Sequence, residues 1–110
     1  MKKVTRKPAA DRVLYERQAV LCKAFANPTR MHLLDLLGRG EAGASDLQER
    51  LGISKANLSQ HLSILRSAGV VNTRRDGKRL LCVLSSREIK DACLQMRNIL
   101  KMQGRNHRGI

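Results

Sequence analysis

Apolar residues recur at Leu14, Leu21 and Phe25, with Val13, Val20 and Ala24 beside them, so the stretch from Asp11 to Ala26 keeps the period of an amphipathic helix. The next run, ANPTRMHLLDLLGRGE, carries its own boundaries. Asn27 can cap a helix, Pro28 suits its first position, and Gly38 and Gly40 end it. A short helix follows in ASDLQERLG, where Ser45 and Gln48 stand three apart as a capping box, Leu47 and Leu51 face inward, and Gly52 closes the element. Ser54 then caps a fourth helix reaching to about Ala68, with Leu58, Leu62 and Leu65 as its inward stripe.

After Gly69 the pattern changes. VVNTRRDGKRLLCVLS sets two β-prone runs around RRDGKR, and Asp76-Gly77 predicts a two-residue hairpin turn because both residue types accept positive φ. REIKDACLQMRNILKM is helical again, with Ile89, Cys93, Met96 and Leu100 on one stripe. A short helix, a tight glycine turn, a longer helix and then a hairpin predict a winged helix-turn-helix, mainly α with a small β-hairpin (an α+β fold). Residues 1–10 read as a basic flexible arm, 11–102 as one folded unit for DNA binding and dimerisation, and 103–110 as a basic tail. Neither a repeat nor a second domain is indicated.

Composition sharpens this picture. The 110 residues are 42% hydrophobic but include no Trp, one Tyr and one Phe, so aliphatic side chains must fill the core. Lys and Arg number 22 against 9 acids, a net charge of +13 that attracts polyanions: nucleic acid first, an anionic membrane surface second. No apolar run approaches the ~20 residues that span a bilayer. The start, MKKVTRKPAADR, has no apolar run behind its basic residues, which argues against a secretory signal and for a cytoplasmic protein. Cys22, Cys82 and Cys93 are odd in number and lack C-x-x-C spacing, so neither a disulfide scaffold nor a zinc finger is expected. No cofactor or metal site is called for, and with no nucleophile elbow or phosphate loop present, an enzyme is not expected.

One surface stands out. Opposite the leucine stripe of the fourth helix lie Ala56, Ser59, Gln60 and Ser63, small and neutral in a strongly basic chain. Such a face enters a major groove without collision, and Gln and Ser can pair with base edges. Lys55 and Arg66 at its flanks suit phosphates, which set register without reading sequence. Arg74, Arg75, Lys78 and Arg79 around the hairpin tip can reach the minor groove or the backbone. The plainer alternatives are a polar helix face that lacks charge, and a solvated turn whose charges guard an edge strand. Two classes of function remain: a sequence-specific DNA-binding regulator, or a non-specific basic nucleic-acid-binding or architectural protein.

FANPTRMHLLDLL, SDLQERLGISKANLSQHLSILRSAGVV and the RRDGKR hairpin resemble the ArsR (ArsR/SmtB) family of bacterial transcriptional repressors, over roughly residues 11–102. The resemblance implies a homodimer joined through its first and last helices, bound to an inverted-repeat operator in double-stranded DNA and released by an inducer. The family's sensor sites transfer poorly. Where soft-metal sensors carry Cys-x-Cys, this chain has Gly43-Ala44-Ser45 before Asp46-Leu47. The last helix offers Glu88 and Asp91 but no histidine, since His107 lies beyond it, and the second-helix cysteine of persulfide sensors falls at Asp35. Cys22 and Cys93, on the two helices implied in dimerisation, remain as candidate inducer-sensing thiols; the alternative is that all three cysteines are small buried hydrophobes. Lys23 and Arg97 are the cations placed to lower their pKa. His61, at the edge of the leucine stripe, reads as structural, and His32 as a surface or interface residue.

Overall fold

The computed structural model describes residues 8–104, in the order α1 (Pro8–Phe25), α2 (Pro28–Leu37), β1 (Ala42–Gly43), α3 (Ala44–Leu51), α4 (Lys55–Ser67), β2 (Val71–Asp76), β3 (Arg79–Leu84) and α5 (Arg87–Gly104). It is a winged helix-turn-helix. Helix α1 already includes residues 8–10 of the expected arm, and α5 takes in Gln103 and Gly104. Residues 1–7 and 105–110, with His107, lie outside the described residues.

Helix α2 is the hub. Asn27 Oδ1 accepts the Arg30 amide at 3.0 Å, and Pro28 occupies the first turn where its missing N–H costs nothing. Leu33, Leu34, Leu36 and Leu37 are all buried, as expected of a helix that is apolar nearly all round. Leu47 of α3, the Leu58, Leu62 and Leu65 stripe of α4, Val70, Val71 and Cys82 close on it to make one core.

The sheet has three antiparallel strands in the order β1-β3-β2, one more than the hairpin expected. β1 is only Ala42 and Gly43, paired with Cys82 and Leu81; nothing in so short a stretch marks it as a strand until β3 lies beside it. This added strand also changes the start of α3. The chain stays extended through Gly43, which occupies the cap position with no side-chain bond, and the helix begins at Ala44. Ser45 therefore sits inside the first turn and the Ser45–Gln48 capping box does not form. The hairpin turn shifts as well. Asp76 pairs with Arg79, so the loop residues are Gly77 and Lys78, and Gly77 alone takes positive φ (64°). This is the turn family with glycine at its first central position, in place of an Asp-Gly turn.

Helix α1 meets the core only near its end, through buried Ala24 and partly buried Phe25. Val13, Leu14, Tyr15, Val20 and Leu21 are exposed. The radius of gyration, 17.2 Å, exceeds the roughly 13 Å of a compact chain of this size. Among the described residues no helix is long and apolar enough to cross a membrane.

Candidate nucleic-acid interface

Helix α4 is set in place by the turn before it. Gly52 adopts the left-handed conformation (φ 65°), which lets its amide and that of Ile53 return to the Gln48 carbonyl at 2.9 and 3.3 Å. Two residues on, Ser54 Oγ accepts the Asn57 amide at 3.1 Å and α4 begins. With Leu58, Leu62 and Leu65 buried, helical periodicity turns Ala56, Ser59, Gln60 and Ser63 outward, and all four are exposed. The side chains of Ser59, Gln60 and Ser63 have no hydrogen-bond partner among the described residues. Their donors and acceptors are free for a ligand.

The wing stands on one flank of this face. Lys55, Leu58, Ser59 and Leu62 of α4 form a groove with Ser45 and Gln48 of α3 and with Arg75, Lys78 and Arg79 of the hairpin, a cleft of about 360 Å³. Strand alternation separates the hairpin cations. Arg75 and Lys78 face this groove, whereas Arg74 and Asp76 line a second cleft with Arg39, Glu41 and Arg50. Arg74 is engaged there: its Nε and Nη2 donate to the two Glu41 carboxylate oxygens at 3.2 and 3.1 Å. Arg79 borders both clefts, with its guanidinium against Gly43, where a Cβ would stand 3.2 Å from Nη2. Arg66, exposed on the last turn of α4, is favourable to that helix's negative end.

On the other flank is a contact that periodicity did not reveal. Arg30 of α2 reaches His61 of α4 and the carbonyls that end α1. Asn27 signalled a cap, but nothing in the spacing pointed from position 30 to position 61. His61 is half-buried, and burial followed by the Arg30 charge lowers its pKa from the usual 6.5. His32 is exposed on α2.

The three thiols differ. Cys82 is wholly buried in β3, and burial pushes its pKa up against the opposing pull of Arg66. Cys93 lies half-buried where α5 meets α2, beside a cavity of about 70 Å³ lined also by Leu34, Asp35, Arg39, Lys90 and Arg97. Burial raises its pKa and Asp35 adds to the rise; Arg97 opposes but is itself ion-paired to Asp35 at 2.9 Å. The Arg97 charge therefore does not make this thiol acidic. Cys22 is exposed on α1 and is not among the residues lining that cavity. No cluster of three or more His, Cys, Asp or Glu side chains suited to a metal occurs among the described residues.

Known proteins are similar to this chain in sequence and fold. A helix-turn-helix domain model matches residues 25–74. The chain is 42% identical over 74 residues to the transcriptional activator HlyU of Vibrio cholerae, covering 67% of this chain and 68% of HlyU. It is 37% identical over 78 residues to the transcriptional repressor SdpR of Bacillus subtilis, covering 71% of this chain and 87% of SdpR. Among solved structures it is similar to a homodimeric winged helix-turn-helix DNA-binding domain from Mycobacterium bovis, named as a possible ArsR-family transcriptional regulator. That likeness has a TM-score of 0.80 at 25% identity and covers 100% of this chain and 99% of that one.

Proposed function

The chain belongs to the ArsR (ArsR/SmtB) family of winged helix-turn-helix transcriptional regulators, and we propose from that premise that it is a dimeric, sequence-specific repressor acting on an inverted-repeat operator. The observation that carries this reading is the exposed face of Ala56, Ser59, Gln60 and Ser63. Its polar atoms are unpartnered, and Lys55, Arg75 and Lys78 border it on the wing side. Gln60 and the serines bond base edges in the major groove; Lys55, Arg66, Arg75, Lys78 and Arg79 hold phosphates and fix register. Arg74, already neutralised by Glu41, supports the wing. A DNA-binding regulator of this kind works in the cytoplasm and performs no catalysis.

Dimerisation uses α1 and α5. Leu14 and Val20 on α1 and Leu94, Ile99 and Leu100 on α5 are each 44–59% exposed, more apolar surface than a solitary chain keeps without a use. The Mycobacterium bovis domain is named as a homodimer, which supports a dimer as such. Release is assigned to a thiol-directed inducer acting through exposed Cys22 and through Cys93 at the α2–α5 junction. Selection of bound sequences from random DNA tests the core of the proposal. A palindromic motif with half-sites about one helical turn apart is expected. Equal affinity for random and selected duplexes makes the protein a non-specific binder instead. Repeating the assay with thiol oxidants, sulfide species and soft metals on Cys22→Ser and Cys93→Ser tests the inducer; two variants as responsive as the parent remove the cysteines from that role.

A further inference from the structure

Arg30 ties three helices together. From α2 its Nε donates to the Ala24 carbonyl at 2.7 Å and its Nη2 to the Lys23 carbonyl at 3.1 Å, which holds the last turn of α1. Both acceptors belong to the last turn of α1, where carbonyls lack i+4 partners; that of Lys23 also accepts the Ala26 amide at 3.1 Å. The third arm, Nη1, meets Nδ1 of His61 at 3.3 Å, and His61 follows Gln60 on α4.

This geometry fixes a proton. Arginine has donors only and keeps its charge at any physiological pH, so the ring nitrogen facing it must accept. The contact requires the neutral tautomer of His61 with its proton on Nε2. Protonation would turn the acceptor into a donor and set two cations against each other. Arg30 from α2 is the charge that acts on the ring, after burial; Lys23 of α1 lies with Arg30 along a neighbouring groove that His61 does not line. No carboxylate is bonded to His61 among the described residues, so nothing there offsets a positive ring.

We propose that Arg30 is a positioning residue that couples α1 to α4 through neutral His61, so that operator recognition weakens when His61 takes up a proton. The inference rests on the DNA-binding reading above: α1 carries the dimer contact, α4 carries the base-reading face, and their relative angle sets the spacing of the two faces. Loosening the fork loosens that spacing. The sign is distinctive. A histidine that merely lies near phosphates gains charge on acidification and strengthens binding, whereas this coupling makes binding less specific. Linkage runs the same way for the fold. With its pKa below the unfolded value, His61 contributes stability that is present above about pH 6.5 and is lost as pH falls through the folded pKa.

The test is the ratio of operator to random-duplex affinity at constant ionic strength, between about pH 7.5 and pH 5.5. The parent protein should lose about fivefold or more in that ratio across the range. His61→Asn should stay flat at the high value, because the amide Oδ1 stands as many bonds from Cβ as Nδ1 and does not titrate. His61→Phe should be low and flat, and Arg30→Lys, which keeps the charge without the fork, should behave likewise. His32→Asn should titrate as the parent does. A ratio that rises on acidification, or a His61→Asn profile matching the parent's, overturns the coupling. Nitrogen NMR of the imidazole in the free protein provides a check without DNA: a proton on Nε2 at neutral pH supports the fork, and one on Nδ1 overturns it. A parent protein with no operator preference at pH 7.5 overturns the DNA-binding reading and the coupling with it, whatever the tautomer.

Discussion

Arg74 and Arg75 are chain neighbours of equal charge, and the wing gives them different tasks. Arg75 faces the groove beside α4, while Nε and Nη2 of Arg74 donate to Glu41 on the other face of the wing. Replacing either by alanine changes net charge equally, so a difference between them reports contact and not long-range attraction. Each phosphate contact contributes about 0.9 to the slope of log K against log salt. A dimer carries every substitution twice, so Arg75→Ala should reduce that slope by about 1.8. Between 50 and 200 mM salt the fall in affinity then shrinks by about twelvefold relative to the parent. Arg74→Ala should leave the slope within about 0.5 of the parent's, since no phosphate contact is lost. Its cost is to the fold and is small: the pair is 60% and 38% exposed, in the range where ion pairs contribute ~0–1 kcal/mol. Fluorescence anisotropy on a labelled operator over a potassium chloride series measures both slopes. Equal reductions for the two variants, or a reduction in Arg74→Ala alone, would refute the assignment of faces.

Gln60→Ala should relax base preference at one position per half-site, at a cost of ~1–3 kcal/mol against the preferred base, read by repeating the selection from random DNA. An unchanged motif would mean that Gln60 does not face the bases. Leu100→Glu on α5 or Val20→Glu on α1 should convert the dimer to monomer in sedimentation and abolish operator binding with it. Removing the α4 cap by Ser54→Ala should lower unfolding free energy by ~0.5–2 kcal/mol, measured by urea denaturation. In timed alkylation followed by mass spectrometry, exposed Cys22 should react first. Cys82, with its thiol buried and its pKa raised, should react only once the protein unfolds.

Much of this molecule was legible without coordinates, because the signals concern near neighbours along the chain. A cap acts within one turn, as at Asn27 with Arg30 and at Ser54 with Asn57. The leucines at 58, 62 and 65 face inward because helical spacing leaves them no other face, and the same rule turned Ser59, Gln60 and Ser63 outward. Gly52 and Gly77 marked tight turns because positive φ is cheap only for glycine. The helix-turn-helix and the outward polar face of α4 thus follow from the order of residues alone. Contacts between distant residues do not. Glu41 selects Arg74 over Arg75 across 33 positions, and Arg30 finds His61 across 31. β1 exists only because β3 passes beside it, and its pairing displaced the expected cap of α3 from Ser45 to Gly43. In each case the deciding partner is brought in by core packing, whose energy comes from nonlocal burial and carries no period for the sequence to display.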